Sequence, residues 1–255
     1  MLREIARKGM RRRRAVCFAL QRRHYDSRGW VHAYRIYARE VMDRLAAGGA
    51  VLDIGCGRSF EFASALCERT SDVHGIDPAA EAGAVMVAGA RVYRAHGDAL
   101  PFADRRFDLV VARSVLEHLE SPEPVFREIA RVLRPGGAFV FLTPSRFDYV
   151  SVIASMVPNM LHPKIVRFAE GRCEADTFPT RYRANTGGAV RRLARASGLR
   201  VELIRYLHHC PTSLMFSPAL YRLATLYDKA VCSYERLAFL RGWMLGVVRK
   251  EPSGA

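Results

Sequence analysis

Short apolar runs alternate with stretches of helical periodicity along the first 144 residues, and most of the runs stop at glycines or acidic residues. The length and periodicity of these apolar runs predict buried strands over 50–54, 72–77, 91–94, 107–112 and 138–143. The intervening patterns predict helices over 29–47, 60–69, about 79–89 and 125–133. Strands that alternate with helices at this spacing indicate parallel βαβ units.

The alternation stops after Pro144. Residues 145–185 hold no predicted strand and several prolines, whereas the chain beyond them predicts a helix over 187–197, a strand over 200–206, mostly helix over 214–240 and a last strand over 243–248. We therefore expect an α/β, Rossmann-like doubly wound fold. Its mostly parallel seven-stranded sheet would carry helices on both faces and a helical lid insertion.

These patterns predict one domain preceded by an arm. Residues 1–28 form a basic N-terminal arm, and 29–255 form the domain. Within the domain we assign ligand binding to 48–144, and substrate or lid insertions to about 145–186 and 207–242, because long loops of α/β domains are often lids.

Charge is concentrated at the two ends of the chain. Residues 1–23 hold nine Arg and Lys against one Glu, 24–139 hold 14 basic and 16 acidic residues, and 140–255 hold 17 basic and 8 acidic residues. Such ends can attract nucleic acid, anionic lipid or an anionic substrate. Only four of the 40 basic residues are Lys, so an arginine-rich composition without a ligand is an equal alternative.

Six scattered cysteines form no CxxC pair, and no histidine cluster has zinc spacing, so we predict no metal site. Scattered thiols fit a reducing compartment. The apolar run 15–20 is too short for a signal peptide, and no run approaches the roughly 20 residues of a membrane span. We expect a cytoplasmic protein, with peripheral contact at the anionic inner membrane face as a further expectation.

Small and acidic residues follow the predicted strands. Gly55 and Gly57 follow the first strand, Asp77 follows the second, Asp98 the third, and Arg113 the fourth. Ligands of open parallel sheets bind beyond these carboxyl ends, and an acidic residue about 20 positions after the glycines can accept hydrogen bonds from ribose hydroxyls. As an alternative, Asp77-Pro78 serves only as a turn and helix cap.

Two phosphate-binding sites can be excluded. A dinucleotide fingerprint needs a third glycine, and Phe60 occupies that position. No Gly-Lys-Ser/Thr follows either, so the segment is not a P-loop.

Six ordered motifs resemble those of class I S-adenosylmethionine-dependent methyltransferases, most closely the type 11 or UbiE-like branch. They cover 51–57, 75–77, 97–102, 107–112, 116–119 and 133–138. The resemblance implies that Asp53, Gly55, Cys56 and Gly57 line the methionine part of S-adenosylmethionine. It also places Asp77 and Pro78 at the ribose, Asp98 and Ala99 at the adenine, and Arg113 and Ser114 near the sulfonium.

Methyl transfer to a hydroxyl needs a base, whereas transfer to a thiolate or enolate does not. Candidate bases are His118, His208 and His209, each with packing as an alternative role. Family members often fold an N-terminal helix over the cofactor, which nominates Tyr25, Tyr34 and Tyr37 as substrate-side residues. The segment 178–185 is similar to bacterial enzymes of glycan or secondary-metabolite modification, and it adds Arg181 and Tyr182 to that set.

The expected function is O- or C-methylation of a small-molecule, glycan or lipid-linked acceptor. RNA methylation is less favoured, because the Asn/Asp-Pro-Pro-Tyr run and the Pro-Cys or Thr-Cys nucleophile of nucleic-acid enzymes are absent. A noncatalytic cofactor-binding module with a basic surface is the second alternative.

Overall fold

The computed structural model describes residues 2–25, 29–57, 60–80, 84–156 and 179–252. Eight strands in this part form one sheet: β1 (Val51–Ile54), β2 (Val73–Ile76), β3 (Ala84–Val87), β4 (Ala90–Tyr93), β5 (Phe107–Arg113), β6 (Leu133–Pro144), β7 (Leu199–Leu207) and β8 (Trp243–Lys250). Its α-helices are α1 (Leu2–His24), α2 (Ala33–Arg44), α3 (Ala63–Cys67), α4 (Pro122–Val132), α5 (Tyr149–Met156), α6 (Gly187–Ala196) and α7 (Pro218–Ser233).

The strand order is β3-β4-β2-β1-β5-β6-β8-β7. The five central strands from β4 to β6 pair in parallel, while β3, β8 and β7 join antiparallel. The mostly parallel Rossmann-like α/β fold is therefore confirmed, with eight strands where seven were expected.

The extra strand replaces part of a predicted helix. The alanine-rich segment 79–89 was expected to be helical, but 84–87 is β3 and pairs antiparallel with β4. Ala88 (φ 48°) and Gly89 (φ 90°) form a two-residue turn with positive φ at both positions, which matches the twist of a hairpin. The local turn and the two valines of β3 therefore prevail over the helix propensity of alanine.

Several boundaries also differ from the predictions. The helix expected over 60–69 is only the five-residue α3, and the turn expected at 135–137 lies inside β6, where the register with β5 shifts and Gly136 has a φ of 80°. The long segment after Pro144 contains α5, and residues 157–178 lie outside the described part. The predicted C-terminal helices and strands are confirmed.

Two apolar layers enclose the sheet. On one face α4 buries Val125, Phe126 and Ile129, and the Phe126 ring lies 5.9 Å from that of Phe139 on β6. On the other face α2 buries Tyr37 and Val41. Each such side chain contributes roughly 1.5–3 kcal/mol by leaving water, so the strand ends between these layers are held rigidly.

The basic arm contains a long helix. Helix α1 packs against α7, and their shared cluster consists of Cys17, Tyr25, Cys210, Met215 and Tyr221. Among the described helices none combines the length and the apolar character that a bilayer crossing requires.

Candidate functional site

The loop after β1 lies level with the ends of its two neighbours. In the parallel register Asp53 faces Gly75 of β2 and Val111 of β5, so the residues after all three strands share one edge. Gly55 and Gly57 both have a φ of +71°, a left-handed conformation that favours glycine. A Cβ at Gly55 would lie 2.4 Å from Cγ2 of Val115, so this glycine also permits a close approach.

Asp77 ties this loop to the end of β2. Its Oδ2 accepts a hydrogen bond from the Gly57 amide at 2.9 Å, and its Oδ1 accepts one from the Ala79 amide at 2.8 Å. The turn-capping role proposed as an alternative is therefore present. It does not exclude ligand binding, because a carboxylate has about four acceptor sites and the described residues use two of them.

Phe60 adopts the left-handed conformation, with a φ of 42°, although it is not glycine. Its side chain is buried against Gly75, where a Cβ would lie 2.8 Å from both Phe60 Cε1 and Cys56 Sγ. Gly75 thus makes room for the glycine loop, a role that the sequence analysis did not assign to it.

Asp53 is a buried carboxyl directly behind the loop. Burial raises the pKa of Asp53 to about 7, the positive charge of Arg113 opposes this, and Asp77 adds to it. The nearby Tyr37 hydroxyl is also buried, and no described residue offers it a hydrogen bond. A buried acid can pair with an ammonium, and an unpartnered hydroxyl can donate a hydrogen bond to a carboxylate. The ammonium and the carboxylate are the polar groups of a methionine moiety.

Arg113 is directed toward α2. Its guanidinium lies 4.7 Å from the centre of the Tyr34 ring and 3.7 Å from a carboxylate oxygen of Glu61. The aromatic face and the carboxylate both stabilise the cation, so this arrangement offers a way to avoid repulsion of a sulfonium. Ser114, which follows at a φ of 57°, donates its amide hydrogen to Leu142 O at 2.8 Å.

The remaining predicted cofactor residues lie at the same edge. Pro78, Asp98 and Ala99 are all exposed, Pro78 in the turn after β2 and the other two in the turn that follows β4. Cys56 is half-buried, and its amide donates to Ile76 O at 3.1 Å. The described part of the chain thus brings the whole predicted cofactor set to one sheet edge.

His118 lies on the 3-10 turn Leu116–His118, directly after β5. Its Nδ1 is 3.0 Å from Pro179 O, and its Nε2 is 3.9 Å from a carboxylate oxygen of buried Glu117. It follows Ser114 by four residues, whereas the other two candidate bases follow β7.

The two other histidines follow β7. His208 Nδ1 contacts Cys232 Sγ on α7 at 2.8 Å. His209 stacks on Trp243 with ring centres 6.3 Å apart, and Trp243 contacts Tyr34 at 5.4 Å. An aromatic row therefore crosses the sheet edge; it consists of Tyr34, Trp243, His209, Tyr149 and Tyr227.

The other predicted substrate residues are not all brought together. Tyr34 and Tyr37 lie beside the loop on α2, whereas Tyr25 lies in the cluster between α1 and α7. The amides of Arg181 and Tyr182 donate to Glu117 O at 2.6 Å and 3.1 Å, so this pair lies beside the His118 turn.

Sequence reasoning missed a buried polar network behind that turn. Thr143 donates its hydroxyl hydrogen to Glu117 Oε2 at 2.9 Å, and Asn185 Nδ2 donates to Thr143 Oγ1 at 2.6 Å. Burial raises the pKa of Glu117, and the positive charge of the neighbouring His118 opposes this rise.

Asp148 was also missed. It is buried at the start of α5, and burial raises its pKa to about 7. In the sequence, the only signal for the Glu117 network and for Asp148 is that acidic and polar residues follow β5 and β6.

Known proteins match the segment of the chain that holds the predicted cofactor residues. Residues 52–141 match the family described as "Methyltransferase domain". An uncharacterized methyltransferase of Mycobacterium sp. (strain JLS) is 41% identical over 96 residues, which cover 36% of this chain and 38% of that protein. The ubiquinone biosynthesis O-methyltransferase of Pectobacterium atrosepticum is 30% identical over 161 residues, 55% of this chain and 65% of that protein.

A solved structure shares the fold over a longer range. The geranyl diphosphate C-methyltransferase of Streptomyces coelicolor A3(2), solved with S-adenosyl-L-homocysteine, superposes with a TM-score of 0.52 at 17% identity, over 85% of this chain and 77% of that one.

The chain spans about two fifths of the length of the first curated relatives it matches. The matched segment nevertheless holds the entire predicted cofactor set, from Asp53 to Ser114, on the strands that place it at one edge. Over residues 52–141 the chain therefore matches a methyltransferase domain, and it is similar there to S-adenosylmethionine-dependent methyltransferases.

Proposed function

We propose that the protein transfers a methyl group from S-adenosylmethionine to a small-molecule, glycan or lipid-linked acceptor, at oxygen or carbon. The observation that carries this proposal is the bond from the Gly57 amide to Asp77, which fixes a glycine loop beside a carboxylate with spare acceptor sites. The names of two relatives, an O-methyltransferase and a C-methyltransferase, support both acceptor atoms.

When bound, S-adenosylmethionine supplies an electrophilic methyl group on a sulfonium. Asp77 would accept hydrogen bonds from the ribose hydroxyls, and Asp53 would pair with the methionine ammonium. Asp98 would accept one from the adenine amino group. Alignment of acceptor and methyl group then lowers the barrier, an effect that can reach roughly 7–11 kcal/mol.

His118 is the base that the geometry favours for a hydroxyl acceptor. It follows β5 directly, whereas His208 is turned toward α7 and His209 is stacked in the aromatic row. A groove of about 400 Å³ lies near this turn and includes Arg146, Arg183 and Arg192 in its lining. These guanidiniums suit a phosphate or carboxylate on the acceptor.

Calorimetry with S-adenosylmethionine tests the cofactor half of the proposal. We expect one site per chain and an affinity that rises from pH 5 to a plateau above pH 7. Asp53 has a pKa raised to about 7, so below that pH it is protonated and must lose its proton to pair with the ammonium. Affinity should fall about tenfold for each pH unit below the pKa.

Asp53→Asn should bind weakly at pH 8 and lose this pH dependence. The absence of binding at millimolar cofactor would contradict both the enzyme proposal and the cofactor-binding module, whereas binding without transfer to any acceptor would favour the noncatalytic module. A screen with labelled methyl donor against lipid-linked sugars, quinol precursors and RNA would identify the acceptor, and transfer to RNA alone would favour that alternative.

We also propose peripheral contact with the anionic inner membrane face, which would place the protein in the cytoplasm. Helix α1 exposes Arg12, Arg13 and Phe18, and its packing partner α7 exposes Leu223 and Leu226. Basic and bulky apolar side chains on neighbouring helices suit the boundary of an anionic bilayer.

Sedimentation with vesicles tests this contact. We expect binding to phosphatidylglycerol-containing vesicles that weakens with salt, and little binding to phosphatidylcholine alone. Arg12→Ala combined with Arg13→Ala should lower partitioning about tenfold or more, since each basic residue contributes about 1 kcal/mol. Arg91→Ala, on β4 away from these helices, is the control; equal loss in both variants, or no binding at all, would refute the contact.

A further inference from the structure

The segment between β7 and β8 contains three metal-ligating side chains that no sequence spacing indicated. His208 follows β7, while Asp228 and Cys232 lie four residues apart on one face of α7. The imidazole Nδ1 is 2.8 Å from Cys232 Sγ and 3.8 Å from Asp228 Oδ2. Cys232 Sγ lies 3.6 Å from Asp228 Oδ1, so the three side chains form a small triangle in which one donor atom from each lies within 4.8 Å of the others.

The size and chemistry of this triangle fit zinc. With metal–ligand distances of about 2.0–2.3 Å, donors of a tetrahedral zinc site lie about 3.5 Å apart. Each oxygen of the Asp228 carboxylate lies near this distance from one of the other donors, Oδ2 at 3.8 Å from Nδ1 and Oδ1 at 3.6 Å from Sγ, so a rotation of the carboxylate would let one oxygen serve both. The separation of Nδ1 and Sγ is shorter because these atoms share a hydrogen bond, which two bonds to a metal would replace. Sulfur, nitrogen and carboxylate oxygen are the donors that zinc prefers.

The surroundings provide charge balance and access. A thiolate and a carboxylate together neutralise a divalent ion. Arg241 pairs with Glu235 at 2.7 Å and also forms a side-chain hydrogen bond with Cys232, where its positive charge favours the thiolate. The His208 side chain is 46% exposed, so an ion can enter and a fourth position faces solvent. Three protein ligands with one open position are typical of zinc sites that bind water or a substrate atom.

We propose that His208, Asp228 and Cys232 bind a zinc ion that joins the end of β7 to the lid helix α7. The ion would hold α7 against the sheet edge near the aromatic row, and its open position would accept an oxygen or nitrogen ligand. This inference is independent of methyl transfer, and its test does not use enzyme activity.

Cobalt titration of the chelator-treated full chain tests the site, because Co²⁺ reports both tetrahedral geometry and thiolate ligation by absorption. We expect one ion per chain, a thiolate charge-transfer band, and complete displacement by zinc. His208→Ala and Asp228→Asn should each weaken cobalt affinity at least about tenfold, since even outer-shell changes at metal sites cost about 10–100-fold.

Thiol variants separate ligation from folding. Cys232→Ser should lose the charge-transfer band, whereas Cys232→His should bind cobalt without that band. Cys67→Ser, which changes another partly buried thiol on α3, should bind like the wild type. The proposal is overturned if the wild type binds no cobalt, or if the band survives in Cys232→Ser.

Discussion

Asp77→Ala is expected to lower the affinity for S-adenosylmethionine at least tenfold, and up to several hundredfold. The substitution removes the acceptor for the ribose hydroxyls, the bond from the Gly57 amide that holds the loop, and the bond from the Ala79 amide that caps the turn after β2. Hydrogen bonds to a charged group contribute about 1.5–3 kcal/mol each, and about 1.4 kcal/mol corresponds to a factor of ten. Calorimetry at pH 8, where Asp53 is ionised, gives the comparison.

Asp104→Ala provides the matched control, because this aspartate is exposed and pairs only with Arg131 among the described residues. It should bind the cofactor like the wild type. Asp77→Asn should fall between the two, since an amide retains one acceptor oxygen but no charge. If Asp77→Ala binds with unchanged affinity, the ribose is held elsewhere and the assignment is wrong.

Gly55→Ala is expected to lower the free energy of unfolding by about 2–5 kcal/mol. The left-handed φ of +71° costs an L-residue roughly 1–2 kcal/mol, and the new methyl group would lie 2.4 Å from Val115 Cγ2. Overpacking of this kind adds about 1–3 kcal/mol. Urea unfolding of the full chain measures the loss.

Two companion variants separate the contact from the strain. Gly198→Ala introduces a methyl group at a φ of +69° with no described atom within 4 Å, so it should show the strain alone. In a Val115→Ala background, Gly55→Ala should lower the free energy of unfolding no more than Gly198→Ala does. Equal losses for Gly55→Ala and Gly198→Ala in the wild-type background would mean that the contact with Val115 is relieved without cost.

Local patterns predicted the central fold well because its strands are buried on both faces. The apolar runs that form β1, β5 and β6 can be recognised in the sequence without knowing which strands pair with them. The hairpin strand β3 was missed because its identity depends on a turn at Ala88-Gly89 and on pairing with β4, which a helical average over an alanine-rich window hides.

The site residues likewise divide into those that the sequence predicted and those that only the packed structure shows. Asp77 was found because its distance from the glycine loop is fixed by one βαβ unit. The contacts of Arg113 with Tyr34, and of Tyr34 with Trp243, join three separate parts of the chain, so only the packed structure shows them. His208 likewise meets Cys232 only because α7 folds back over the end of β7.

The aromatic row has a consequence for how such an enzyme can change over evolution. The groups assigned to the cofactor all belong to one continuous segment, 53–114, whose geometry is fixed by the register of β1, β2 and β5. The row is built from residues of α2, α5 and α7, the first residue of β8, and His209 after β7. Substitutions in the row can therefore reshape the neighbouring surface while the strand register that places the assigned cofactor residues stays intact.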